Sequence, residues 1–381
     1  MRARTLTALP LLAATSLLAG CGILPAPERA DSESELQDAA QSAVEALVGA
    51  GAPAAVAHVR GEVGEVSAAA GTRGTSEGPG GEPAQPDDAV RIASVTKPMV
   101  ATVVLQLAEE GRLGLDDEVE AHLPGVLANA PGPVTVRQLL NHTSGLPDYI
   151  EPLLPDAEAI TASVGREYRE EELLAAAATV PWESEPGSAF VYSNTGYTVL
   201  GMLVETVTGS PIEAEVETRI LEPLGMDATV WPEDETMPEA SLRGYLETDD
   251  GPVDVTAISP TLWSAGAGLV STVGDVDRFF SGLAGGELVT QESMEAMSDT
   301  GANGYGLGIL QGRDACGFPP GTVLGQRGNG FGYRTASFGS PDGERHVTLS
   351  WTSTRETVDG DAVFEASLAE LQRLLGATCP A

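Results

Sequence analysis

Arg91-Ile-Ala-Ser94-Val-Thr-Lys97-Pro98 is the stretch on which the reading of this chain turns. Behind it Val100, Val103, Val104, Leu107 and Ala108 recur at helical spacing until Gly111. The pattern predicts a buried amphipathic helix with Ser94 and Lys97 in its first turn. Three residues apart, the two share a face. Pro98 is near the edge of what a first turn tolerates, since it deletes one helical donor. A serine hydroxyl is a poor nucleophile until a base takes its proton. A lysine one turn away serves as that base once burial and nearby donors depress its pKa. The helix N-terminus favours the negative charge that develops at the serine.

Composition strengthens the pair. Lys plus Arg is 20 and Lys97 is the one lysine, so every other basic position is arginine. Arginine stays protonated at any relevant pH, whereas a buried lysine can lose its proton. None of the four histidines, His58, His122, His142 and His346, stands in a Gly-x-Ser-x-Gly setting or another recognisable triad context. The net charge of −36 argues against a nucleic-acid partner, which needs a basic face, and against docking on anionic lipid.

The N-terminus reads as an export signal. Arg2 and Arg4 precede an apolar run from Leu6 to Leu18, and Leu18-Ala19-Gly20-Cys21 follows. This resembles the bacterial lipoprotein signal, cut before a cysteine that then carries lipid. The run is too short for a comfortable membrane span. Residues 1–20 are therefore expected to be a signal peptide and 21–35 a flexible tether on lipidated Cys21, with the rest of the chain outside the cytoplasmic membrane. Cys316 and Cys379 remain, and in an oxidising compartment they are expected to pair. Neither has His or Cys at metal-ligand spacing, so no metal and no cofactor is expected.

A second motif lies in Pro186-Gly-Ser-Ala-Phe-Val-Tyr192-Ser-Asn194-Thr-Gly-Tyr-Thr-Val-Leu-Gly201. With it the chain resembles the serine β-lactamase and penicillin-binding superfamily, in the Tyr-x-Asn branch of class C β-lactamases, serine D-alanyl-D-alanine carboxypeptidases and related esterases. Other family-like stretches are Arg137-Gln-Leu-Leu-Asn-His142-Thr-Ser-Gly145-Leu, Leu221-Glu-Pro-Leu-Gly-Met226, Ser264-Ala-Gly-Ala-Gly-Leu-Val-Ser271 and Tyr305-Gly-Leu-Gly308. The resemblance covers roughly residues 50–378. It implies that Ser94 attacks a carbonyl and forms an acyl-enzyme, that Lys97 and Tyr192 share the proton traffic, and that Asn194 binds the acyl amide and holds Lys97. His142 reads as structural.

The third family motif departs from the pattern. The family usually carries Lys-Thr-Gly, or His, a small residue and Gly, on a strand beside the serine. Here the run is Leu324-Gly-Gln326-Arg327-Gly328-Asn329-Gly-Phe-Gly332-Tyr333. An oxyanion hole from the backbone N–H groups of Ser94 and Asn329 is still expected, because it does not depend on side-chain type. Gln326 cannot carry the charge that a Lys or His would offer a carboxylate. Arg327 either turns into the cleft and supplies that charge, or is a solvated edge residue. The expectation tested below is that Arg327 decides any preference for a free carboxylate.

The remaining pattern gives the architecture. Leu36–Val48 reads as a helix, Ala54–Arg60 and Gly64–Ala70 as strands, and 71–86 as a loop. From about 115 to 285, helical patterns alternate with Gly/Pro loops and show no clear strand ladder. Thr322–Gln326, Arg334–Gly339 and His346–Thr352 read as strands, and Ala362–Leu375 as a closing helix. The expected class is α/β plus all-α: an antiparallel sheet flanked by helices, with an inserted helical domain, in the β-lactamase/DD-peptidase-like fold. Residues 36–381 would form one hydrolase domain, its α/β part at about 36–90 and 290–381 and its helical part at about 91–289.

The function expected is a monomeric serine hydrolase at the cell envelope, acting on a small molecule or cell-wall peptide, most simply as a D-alanyl-D-alanine carboxypeptidase-like peptidase or related esterase or amidase. A β-lactamase is an alternative, made less favourable by the missing Lys-Thr-Gly. The other alternative is a cell-wall-binding lipoprotein that kept the fold without turnover.

Overall fold

The computed structural model describes residues 29–317, 321–354 and 361–380. The expected export signal, Cys21 and most of the expected tether lie outside these residues. Ten strands are numbered in chain order: β1 Ala54–Gly61, β2 Gly64–Gly71, β3 Val90–Arg91, β4 Tyr245–Thr248, β5 Gly251–Asp254, β6 Val270–Ser271, β7 Leu310–Arg313, β8 Thr322–Gly330, β9 Tyr333–Gly339 and β10 His346–Thr352. Six form one antiparallel sheet in the order β2-β1-β10-β9-β8-β7. The sheet thus joins an N-terminal hairpin to a C-terminal meander, and the 91–289 segment leaves and returns between them.

Six helices carry the argument: α1 Glu33–Ala50, α2 Thr96–Glu109, α3 Asn194–Thr208, α4 Pro260–Ala267, α5 Val273–Ala284 and α6 Ala362–Ala377. Ser32 caps α1 by accepting the Glu35 N–H, and Gly51 ends it in the left-handed region. One sheet face packs on α1 and α6 through Leu36, Leu47, Val347, Leu349, Trp351, Leu371 and Leu374, all nearly fully buried. Side chains of this size stabilise by roughly 1.5–3 kcal/mol each when removed from water. A larger apolar core surrounds α2 and α3 and reaches the sheet at Val56.

Three strand regions escaped the sequence pattern, one of them the two-residue pairing of β3 with β6. Tyr245–Asp254 is a hairpin, with Thr248 and Gly251 paired across Asp249-Asp250. Its outer residues are exposed, so no alternation of apolar residues marks it. β7 is similarly half exposed. Elsewhere the expected elements appear with ends moved by a few residues. β8 runs on to Gly330 because its partner β9 begins at Tyr333, across the tight Phe331-Gly332 turn.

Candidate active site

Ser94 lies in a short 3-10 turn, Ala93–Val95, that runs straight into α2. Lys97 and Pro98 follow in the first helical turn, where backbone N–H groups have no intrahelical acceptor, so the missing donor of Pro98 costs little. Ser193 caps α3 and leaves Asn194 as its first residue. The two helices pack so that their N-terminal ends converge.

Four of the residues named from sequence meet there. Lys97 is fully buried, and its Nζ lies 3.1 Å from Ser94 Oγ, 2.8 Å from Asn194 Oδ1 and 2.9 Å from the Gly266 carbonyl oxygen. The Tyr192 hydroxyl donates to Ser94 Oγ at 2.8 Å. Burial pushes the Lys97 pKa down to about 7, against a smaller upward pull from Asp148. Burial holds the Tyr192 phenol well above its usual value. The serine therefore sits between an amine that can give up its proton near neutral pH and a phenol that keeps its own.

Asp148 belongs to this cluster and was not singled out from sequence. Its Oδ2 accepts both the backbone N–H and the Nδ2–H of Asn194, each at 2.8 Å, and its Oδ1 accepts the Ile150 N–H at 2.8 Å. It follows His142-Thr-Ser-Gly-Leu-Pro directly, but a lone acid in a loop carries no periodic signal. Gly266 contributes only its carbonyl, which sequence cannot advertise.

Behind Tyr192 is a buried polar network. His142 Nδ1 accepts the Ser193 N–H at 3.2 Å, so its proton is on Nε2 and is donated to the Tyr305 hydroxyl at 3.2 Å. Burial holds His142 neutral by pushing its pKa well below the usual value. Its ring lies 4.2 Å from that of Tyr192. Gln326 Nε2 donates to the Tyr305 hydroxyl at 3.0 Å and to the Gly308 carbonyl at 3.1 Å, while its Oε1 accepts the Arg327 N–H at 2.9 Å. Gln326 is thus committed to the protein.

β8 borders the serine as expected. Residues 326–330 pair with β9 on one side, while β7 reaches only as far as Gly325. A Cβ on Gly328 would lie 2.1 Å from the Ile92 carbonyl oxygen, so only glycine lets the strand come this close. Gly330 and Tyr333 flank a two-residue turn, which makes them a hydrogen-bonded pair. By alternation Asn329 faces β9 without such a bond, and its N–H points off the free edge.

Arg327 does not enter the cleft. It shares a sheet face with Ala336 and Phe338, the face packed on α1 and α6, and its guanidinium lies 5.7 Å from the Phe338 ring centroid. Gln326 and Gly328 take the opposite face. The expectation of a carboxylate-reading Arg327 is corrected by this register, and the residue is half-buried on the other face.

Among the described residues three non-glycines have positive φ, and all border the cluster. Ala93, at +49°, precedes Ser94; His142, at +57°, touches Tyr192; Ser264, at +43°, is two residues before Gly266. Backbone strain of this kind costs on the order of 1–3 kcal/mol per residue and concentrates at functional sites. Apart from this cluster, ligand atoms of His58, Glu65 and Asp277 lie within 4.8 Å of one another. The Arg60 guanidinium already bonds Asp277, so that group reads as an ion-pair network tying β1 to α5.

Comparison with known proteins agrees with this geometry. A family model described as Beta-lactamase matches residues 40–372. Esterase EstB of Burkholderia gladioli is 38% identical over 40% of this chain and 41% of its own length. Penicillin-binding protein 4* of Bacillus subtilis is 33% identical over 39% of this chain, which spans 31% of that protein. The chain thus matches well under half the length of these curated relatives. Solved structures match more fully. A D-stereospecific amidohydrolase from Streptomyces sp. is 32% identical with a TM-score of 0.75, covering 87% of this chain and 98% of the other. The D-amino acid amidase of Ochrobactrum anthropi SV3, complexed with L-phenylalanine amide, is 25% identical with a TM-score of 0.77, covering 90% and 98%. This chain belongs to the beta-lactamase family of serine hydrolases, which includes penicillin-binding proteins, esterases and amidases.

Proposed function

We propose that the protein hydrolyses esters or amides that carry no free carboxylate beside the scissile bond, through an acyl-enzyme on Ser94. The observation that carries the acyl-enzyme reading is Ser94 Oγ held between Lys97 Nζ at 3.1 Å and Tyr192 Oη at 2.8 Å. A neutral amine has two N–H bonds and one lone pair. Asn194 Oδ1 and the Gly266 carbonyl are both acceptors and take the two N–H bonds. The lone pair is left facing Ser94, and Lys97 is then the base. As Ser94 Oγ bonds the carbonyl carbon, its proton passes to Lys97. The oxyanion is held by the N–H groups of Ser94 and Asn329. Tyr192, as a phenol, hands its proton to the leaving group when the carbonyl re-forms, and the proton that Lys97 took from Ser94 then restores the phenol. Water then repeats the sequence on the ester.

The substrate class rests on charge. Gln326 is tied to Tyr305, and Arg327 lies on the other sheet face. Among the described residues, Lys97 is the one cation bonded within the cluster, and it is buried. A carboxylate would enter without a partner, which disfavours D-alanine-terminated peptides and β-lactams relative to neutral esters and amides. The relatives named as an esterase and as amidases support the same choice.

The proposed place of action is the outer face of a bacterial membrane, with Cys21 lipidated. The Cys316–Cys379 disulfide, with a Cα–Cα distance of 5.4 Å, supports an oxidising compartment. Among the described residues no helix is long and apolar enough to cross a membrane.

The test is a fluorescent phosphonate label with mass mapping, followed by turnover of matched neutral esters, amides and carboxylate-bearing peptides. Label on Ser94 with turnover of the neutral set is expected. No label on the folded protein would leave a binding protein without turnover.

A further inference from the structure

We propose that Asp148 is a positioning residue that locks the Asn194 amide with its oxygen toward Lys97, and thereby aims the lone pair of Lys97 at Ser94. The proposal rests on Lys97 being the base. A primary amide presents an oxygen on one side and an NH2 on the other, and either can face a neighbour. At Asn194 the choice is forced. Asp148 Oδ2 sits 2.8 Å from both Asn194 N and Asn194 Nδ2, and its Oδ1 sits 2.8 Å from Ile150 N. Burial pushes the Asp148 pKa up, but three N–H groups and Lys97 favour its ionised form, and in either form Oδ2, which accepts the Asn194 backbone N–H, takes Nδ2–H beside it. Asn194 Oδ1 then faces Lys97 at 2.8 Å. Were the amide reversed, Nδ2–H would point at Nζ. A neutral Lys97 would accept that hydrogen with its lone pair and turn an N–H toward Ser94, where it could take no proton.

Asp148 also sets charge. Of the groups facing Lys97, Tyr192 and Tyr197 present ring faces at 4.9 and 5.2 Å, and both phenols are held protonated by burial. His142 is neutral. Ser94 and the Gly266 carbonyl carry no charge. Asp148 is the acidic group whose field reaches the lysine, and it favours the protonated amine. Removing that charge makes Lys97 easier to deprotonate.

The two effects have opposite signatures. Asp148→Asn and Asp148→Ala both remove the charge, so the acid limb of the acylation profile should move to lower pH, by about one unit. Asp148→Ala also releases the Asn194 amide, so its plateau rate should fall, by roughly 10–100-fold. A residue with a merely structural role would lower the rate and leave the limb in place. Asparagine sets an NH2 against the Ile150 N–H; alanine does not, and is read if the first variant fails to fold. The measurement is the pH dependence of phosphonate acylation in wild type and both variants, with melting checked first. A limb that moves down together with a lower plateau in Asp148→Ala supports the proposal. A wild-type limb near neutrality that stays put or moves up in the variants overturns Asp148 and leaves Lys97 as base. No limb near neutrality in wild type overturns the lysine reading and this proposal with it.

Discussion

The Tyr305 hydroxyl receives the Nε2–H of Gln326 at 3.0 Å, and this bond occupies the side chain at the position where the family resemblance implies a Lys or His. The same hydroxyl receives His142, whose ring packs on Tyr192. A position expected to greet substrate thus braces the proton-carrying tyrosine from behind. Replacing Gln326 with Ala should leave the Tyr305 hydroxyl and the Gly308 carbonyl short of a donor. Losing such a bond at a buried site costs roughly 1–3 kcal/mol, and acylation should slow as Tyr192 loses its backing. Thermal melting and acylation rates measured together would check both.

Arg327 lies over Phe338 on the far sheet face. Arg327→Ala should therefore change kcat/KM equally for matched acid and ester substrates. A selective loss on the acid would show that the guanidinium reaches the cleft after all.

The disulfide ties the loop after β7 to the end of α6, across a sequence separation of 63. In the chain-entropy model this closure is worth about 4 kcal/mol. The double Cys316→Ser, Cys379→Ser variant should melt well below wild type by calorimetry while keeping its acylation rate, since neither cysteine touches the cluster. An unchanged melting point would contradict the pairing's contribution.

Lipidation of Cys21 is expected from Leu-Ala-Gly-Cys after the apolar run. In a bacterial host the full chain should fractionate with membrane, and Cys21→Ser should not. Equal retention of the two would sink the anchor.

Much of this was legible in sequence because it is periodic or chemically loud. Helix α2 showed its apolar spacing, and Lys97 stood out as the one lysine. Tyr192 and Asn194 came with a recognisable run, and β10 with an apolar alternation that matched its ends. What stayed hidden is set by tertiary approach. Gly266 acts through a carbonyl that every residue possesses. Asp148 gains its meaning only when α3 begins against it. The side of β8 on which Arg327 falls depends on register, and a slip of one residue would have reversed it. The β4–β5 hairpin buries the adjacent Tyr245 and Leu246 and leaves its outer residues exposed, so it carries no alternation to read.

Lys97 Nζ lies 3.1 Å from Ser94 Oγ with its pKa brought down to about 7, and that proton transfer is the account's centre. Such a base must be neutral to act, so acylation should rise with pH through about 7 and level off above it. Arginine keeps the charge and the hydrogen bonds but accepts no proton near neutral pH. The direct measurement is the acylation rate of folded Lys97→Arg with an activated ester or phosphonate, beside wild type at pH 8. Loss of a general base costs on the order of 10²–10⁴-fold, and a fall of that size is predicted. A variant acylating within about tenfold of wild type would contradict a proton-carrying Lys97, because that is less than a general base contributes.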